Sequence, residues 1–304
     1  MTRVQKIFTL IGITALSSFF IYAIQSDATA DRSSQEAPLN DYNVYALDMP
    51  GGLNFAGETV PLNQPDVYER MDRELLVNTY WQSNGLLLIK RAHKYFPIIE
   101  PILEQYNVPN DFKYLAVIES GLTQAVSRAK AVGFWQILKN TGKELGLEVN
   151  NNVDERYHIE KATHAACKYL LQSKEKFGSW TLAAAAYNAG NGGINKRLEE
   201  QKVTNYYDLL LGQETGRYVF RIIAIKQILT HTKNHGFNYD KKHLYELQPV
   251  YKVAVDTAVT NFADFAQHFG VTYKELKLHN PWLRERHLNN ASRKEYFVKI
   301  PKNK

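Results

Sequence analysis

The sequence predicts a mainly α protein, a helical domain followed by a small α+β module of βααβ order. Three observations carry this. From about Pro65 to Thr230, apolar residues recur at the three-to-four spacing of a helix with one buried face. After Pro249 the texture changes to strand-like alternation in VYKVAVDT, and EYFVKI supplies a matching strand near the end. A chain of 304 residues with 44% hydrophobic and 12% aromatic composition can pack one core of roughly 150 to 200 residues plus attachments.

The elements follow in order. Arg3 and Lys6 precede an apolar run from Ile7 to Ile24, and Ala28-Thr29-Ala30 offers a small-residue cleavage site before Asp31. Residues 1–30 therefore read as an export signal. The run is also long enough to span a bilayer as an uncleaved anchor with its positive end inside, and both readings stand. Residues 31–64 are polar and broken by prolines and glycines, a linker with room for one short strand. Residues 65–235 form the helical domain. In VYERMDRELLVNTYWQ, Val67, Met71, Leu75 and Tyr80 share a side, and Leu86 to Ile89 continue it. Pro97 and Pro101 are expected near the entry of the next helical stretch. DFKYLAVIES is expected to open with Asp111 as N-cap and close at Gly121, which leaves Glu119 at the end of an apolar helix.

Further helices are legible in KATHAACKYLLQSKEKF, WTLAAAAYN and TGRYVFRIIAIKQILTH, separated by polar loops containing glycine. In the module at 249–302, Phe262, Phe265, Ala266 and Phe269 lie on one helical face. Gly270 stops that helix, a second starts at Thr272, and Asn280-Pro281 ends it.

The net charge of +6 is spread along the chain without a long block of one sign, which excludes a nucleic-acid-binding tail and suits an anionic polymer. Cys167 is the only cysteine, so no intramolecular disulfide or thiolate metal cluster can form. The nine histidines fall into no ligand spacing, and no cofactor is expected. Ser120 and Ser179 are not in a nucleophile elbow, and the glycines from Gly190 to Gly193 lack the Lys-Ser/Thr of a phosphate loop.

What remains is Glu119. Alone it would be an ordinary solvated carboxylate. It belongs to an ordered set: Glu119-Ser120-Gly121, then Ser127 through Gly133-Phe134-Trp135-Gln136, then Ala186-Tyr187-Asn188-Ala189-Gly190, then Glu214-Thr215 and Tyr218. This set resembles the four motifs of the soluble and membrane-bound lytic murein transglycosylases, most of all the type D branch with tryptophan in its second motif. The resemblance covers about Pro65 to Thr230. It departs at Phe134, where leucine is commoner, and at Lys130, where the residue is usually small.

The resemblance implies a lysozyme-like helical fold acting on peptidoglycan glycan strands, with Glu119 as the catalytic acid; the exported chain is expected to be a monomer. Ser120 would steady the sugar or the glutamate. Gln136, Tyr187 and Asn188 would line the cleft, and Tyr218 would hydrogen-bond near the carboxyl group. Physical chemistry agrees: an apolar setting raises a carboxyl pKa, so the group stays protonated to serve a leaving oxygen. A glycoside hydrolase needs a second carboxylate, and none occurs between Glu119 and Glu144. A lone Glu119 suits the route the resemblance implies, intramolecular attack giving an anhydro sugar. The alternatives are a goose-type lysozyme-like hydrolase, in which Glu144, Asp154 or Glu155 folds back to the cleft, and a non-catalytic wall-binding scaffold. Asp154 and Arg156 read as a structural loop pair and Glu144 as solvated.

The C-terminal module resembles LysM domains in its βααβ order and in FADFAQHFGVTYKELKLHNPWL and FVKIP. It keeps Asp256-Thr257 without the preceding glycine and carries Arg284, Arg286 and His287 after Pro281. It is expected either to clamp glycan or to pack on the catalytic domain.

Overall fold

The computed structural model describes residues 44–302. The proposed signal or anchor segment, and the linker up to residue 43, lie outside the described residues. Of the two compact units into which the chain divides, Leu47–Lys304 contains every helix and strand named below. Of the other, residues 44–46 are described and form no regular element. Among the described residues, no helix is long and apolar enough to cross a membrane.

A two-stranded hairpin, β1 (Asn54–Phe55) and β2 (Glu58–Thr59), comes first. Leu53, Phe55 and Val60 around it are buried in the helical core. Helix α1 (Pro65–Thr79) starts on its proline, where the missing N–H is no loss, and buries Val67, Met71 and Leu75. The apolar pattern does not continue into one long helix. The backbone breaks at Tyr80 and Trp81, and α2 runs from Gln82 to Gln105.

Pro97 and Pro101 are not at a helix entry, as the sequence suggested, but inside α2. Both are exposed, and their spacing of four puts them on one side. On such a solvent-facing side a helix tolerates the two missing donors.

A 3-10 turn, Asn110–Phe112, leads into α3 (Lys113–Ser120). Asp111 is not the helix N-cap. Its Oδ2 accepts from the Ala56 N–H at 2.7 Å and from the Lys226 ammonium at 2.7 Å, which fastens the hairpin to the helices. Helix α3 buries Tyr114, Leu115, Ala116 and Val117 and ends at Gly121 in the left-handed region. Short α4 (Lys139–Glu144) follows, then α5 (Ile159–Phe177) and α6 (Trp180–Ala189), the latter capped by Ser179. Residues 191–201, read as part of a loop, form helix α7 (Asn191–Gln201), with only Ile194 fully buried. So polar a face gives a weak periodic signal. Helix α8 (Gln213–Thr230) runs through the core against α1, α3 and α6 and buries Tyr218, Val219, Phe220, Ile222 and Ile223.

The C-terminal module has the expected βααβ order: β3 (Val250–Val255), α9 (Phe262–His268), α10 (Tyr273–His279) and β4 (Tyr296–Pro301). Strands β3 and β4 pair antiparallel from Val250↔Pro301 to Val255↔Tyr296. Thr272 and Glu275 close a reciprocal capping box on α10.

Candidate active site

Glu119 stands one residue before the end of α3. The Gly121 turn (φ +60) stops the helix there, so the carboxyl emerges at the end of a buried apolar stretch. From α8, the Tyr218 hydroxyl donates to Glu119 Oε1. Burial raises the Glu119 pKa, the Tyr218 hydrogen bond and nearby Arg221 lower it, and Glu214 raises it again. The result is about 7 against an ordinary 4.5, so near neutrality a proton is held at the site.

Glu119 opens onto a cavity of about 770 Å³. One wall is the segment 127–138. Val132 and Ile137 pair there through two backbone hydrogen bonds of 3.1 Å. Gln136, at φ +46, is held by its amide nitrogen donating to Gly133 O at 2.8 Å and Ala125 O at 3.0 Å. The facing wall is the C-terminal end of α6. Tyr187 donates to Trp135 O at 2.7 Å. Asn188 accepts from the Thr215 hydroxyl at 2.7 Å and donates to Glu214 Oε1 at 3.2 Å. Burial, with the Glu119 charge next in importance, keeps the Tyr187 and Tyr218 phenols far above their ordinary pKa, so both are donors at any working pH.

The start of α6 is fixed from outside the helix. Glu58 of β2 accepts from the N–H of Trp180 (2.6 Å) and Thr181 (2.9 Å) and from the hydroxyls of Ser179 (2.7 Å) and Thr181 (2.6 Å). A carboxylate at a helix N-terminus satisfies unpaired donors and complements the helix dipole.

Glu119, Gln136, Tyr187 and Asn188 line the one cavity, and Tyr218 sits behind the acid. Ser120 is placed differently. Its hydroxyl donates to Phe134 O at 2.9 Å, tying the helix end to the cleft wall rather than lining the cavity. Trp135 is fully buried and donates to Thr163 Oγ1 at 2.8 Å, which makes it a core residue. Glu144 is exposed, Asp154 is bound by Arg156, and Glu155 accepts from the Glu148 N–H at 2.8 Å; none of the three lines the cavity.

The carboxylate that does reach the cavity is Glu214, with Tyr169 and Arg128 also on its lining. Glu214 stood in the fourth motif, but only its separation from Glu119 along the chain was visible, and that hid their proximity. Tyr169 had no sequence signal beyond its place on α5.

Residues 96–210 match the transglycosylase SLT domain, and residues 251–304 match the soluble lytic transglycosylase C-terminal LysM-like domain. The chain is similar to two curated proteins, the membrane-bound lytic murein transglycosylase D of Escherichia coli strain K12 and that of Escherichia coli O6:H1 strain CFT073. Each is 29% identical over 257 residues, which is 82% of this chain and 55% of the relative. The chain thus spans about half the length of the curated relatives it matches. With Glu119 of α3 on the cavity lining and the βααβ module at 249–302, the chain carries a lysozyme-like transglycosylase SLT domain followed by a C-terminal LysM-like domain.

Proposed function

We propose that this chain is a peptidoglycan lytic transglycosylase, cleaving the β-1,4 bond between MurNAc and GlcNAc and leaving 1,6-anhydroMurNAc ends. The observation that carries the reading is the proton held near neutrality on Glu119, at the floor of a cavity large enough for sugar rings. Glu119 gives its proton to the glycosidic oxygen as the C1–O bond breaks and the electron pair leaves with that oxygen. The resulting carboxylate takes the proton of the muramic acid C6 hydroxyl, whose oxygen bonds to C1. No water is consumed, and the tethered hydroxyl needs little ordering. Gln136, Tyr187 and Asn188 hold the sugars across the scissile bond, Tyr218 orients the carboxyl group, and Ser120 steadies the helix end that carries it.

The catalytic unit is 65–235 and the LysM-like module 249–302. The resemblance to membrane-bound enzymes supports export, with residues 7–24 as signal or anchor, and the chain is proposed to act as a monomer. A mature chain beginning at Asp31 would exclude the anchor.

Glu214 favours a second reading. A carboxylate on the cavity lining could activate water and make the chain a goose-type lysozyme-like hydrolase. Digestion of purified sacculi, with mass analysis of the released muropeptides, separates these. Anhydro ends support the transglycosylase, whereas reducing ends, heavier by one water, establish the hydrolase. No product from the parent protein would leave a glycan-binding scaffold. Glu119→Gln is expected to lower release at least about 10²-fold.

A further inference from the structure

The core of the C-terminal module does not stop at the module. Val132, Val153 and Tyr157 of the helical domain lie in the same buried cluster as Phe262, Leu276, Trp282 and Leu283. Backbone pairing stitches the seam: the Asp154 N–H donates to Trp282 O at 2.9 Å and the Arg284 N–H to Asn152 O at 2.8 Å. The Asn289 N–H adds a bond to the Asn152 side-chain oxygen at 2.7 Å. The Tyr296 hydroxyl donates to Glu148 at 3.0 Å, and the Arg284 guanidinium lies 3.9 Å from the centroid of the Tyr157 ring.

Two residues carry this seam to the cleft. Val132 packs into the module's core while both its backbone groups pair with Ile137, closing the turn that bears Gln136. Arg156 is buried behind the same turn. Its Nε and Nη2 hold Asp154 at 2.9 and 2.7 Å, and its Nη1 donates to Lys130 O at 3.2 Å and Ile137 O at 3.1 Å. Its own carbonyl closes over Gly133, where a Cβ would lie 2.3 Å from the oxygen. The planar fork thus fixes carbonyls on both sides of the Gln136 turn, while Asp154, which neutralises it, is bonded through its N–H to the module.

We infer that Arg156 is a positioning residue through which docking of the C-terminal module sets the cleft wall bearing Gln136, so that the module is a buttress of the cleft. The inference rests on the cleft being the site of glycan cleavage. A ring held off its productive position by an ångström loses rate more than binding.

The test uses the full chain, with Arg156→Lys altering the fork and Leu283→Asp disturbing the seam from the module side. Rates on soluble uncrosslinked glycan strands are measured beside amide hydrogen exchange over residues 130–137. Both variants are expected to lower kcat about 10- to 100-fold with KM within about threefold. The alkaline limb near pH 7 stays in place, since the partners of Glu119 are untouched, and the Val132 and Ile137 amides exchange at least about tenfold faster. Unchanged kcat in variants that merely melt earlier would overturn the inference, as would unchanged exchange at 130–137 in Leu283→Asp. Should Leu283→Asp not fold, Tyr296→Phe takes its place, with the same direction and smaller size. If the parent releases no product, the cleavage reading fails, and the exchange result alone decides whether module and wall are coupled.

Discussion

The Tyr218 hydroxyl donates to Glu119 Oε1, so the carboxyl group at the end of α3 is held by a phenol from the second turn of α8. The bond favours the carboxylate and works against burial, which favours the acid. Their balance puts the group at about 7 rather than far above it, where it would give up its proton too reluctantly to serve a leaving oxygen.

Activity as a function of pH reports this balance. With protonated Glu119 as the acid, release of muropeptides is expected to fall as pH rises through about 7. Tyr218→Phe removes a lowering influence, so its alkaline limb should move to higher pH, with a reduced maximum. Glu214→Gln removes a raising influence and should move the limb lower. Initial rates on sacculi over pH 5 to 9 check both signs, and shifts in the same direction would contradict the assignment.

Replacing Glu119 should raise stability while it lowers activity. The folded pKa of Glu119 lies above its unfolded value of 4.5, so stability is fully present below 4.5 and is lost as pH rises through about 7. Glu119→Gln is therefore expected to be more stable than the parent at pH 8, by on the order of 1–3 kcal/mol. This is less than the whole shift implies, because the carboxyl is partly open to the cleft. The difference should shrink towards pH 4. Urea denaturation at both pH values measures it.

Glu58 shows the reverse sign. Burial pushes its carboxyl up, but hydrogen bonds from Thr181, Ser179 and the Trp180 N–H outweigh burial and hold it below 4.5. Its contribution is present above 4.5 and lost as pH falls through the lower folded value. Glu58→Ala should cost about 1–3 kcal/mol at pH 7, lowering Tm by about 2–4 °C per kcal/mol, with the deficit narrowing in acid.

Gly133→Ala should be more damaging than its size suggests. Its φ of +80 disfavours a side chain, and the added Cβ would meet Arg156 O at 2.3 Å, a backbone atom with little room to move. A loss of about 2–4 kcal/mol is expected in thermal unfolding. A melting point within 1 °C of the parent would show that the 130–137 turn yields more easily than its packing implies.

Glu119 was legible in the sequence because an apolar helix end and three downstream motifs pointed to it, and Gln136, Tyr187 and Asn188 follow the same order. Short-range rules also gave the C-terminal end of α3 and the start of α10, since Gly121 and Thr272 act within a few residues. They failed where a distant partner decided the outcome. Asp111 had the right type and place for an N-cap, but Lys226 and the Ala56 N–H claim its carboxylate. Pro97 and Pro101 looked like boundaries, although a solvent-facing side lets a helix tolerate them.

The sequence by itself determined the helical class and the βααβ module and singled out Glu119 as the candidate acid, because periodicity, capping and motif order are local or ordered along the chain. Only the tertiary structure decided what surrounds that acid. Tyr218 and Glu214 reach it from α8, Glu58 caps a helix from a hairpin more than a hundred residues away, and the module's core runs through Val132 into the cleft wall. A pKa depends on burial and on charges a few ångströms away in space. The sequence records those neighbours but not their distances.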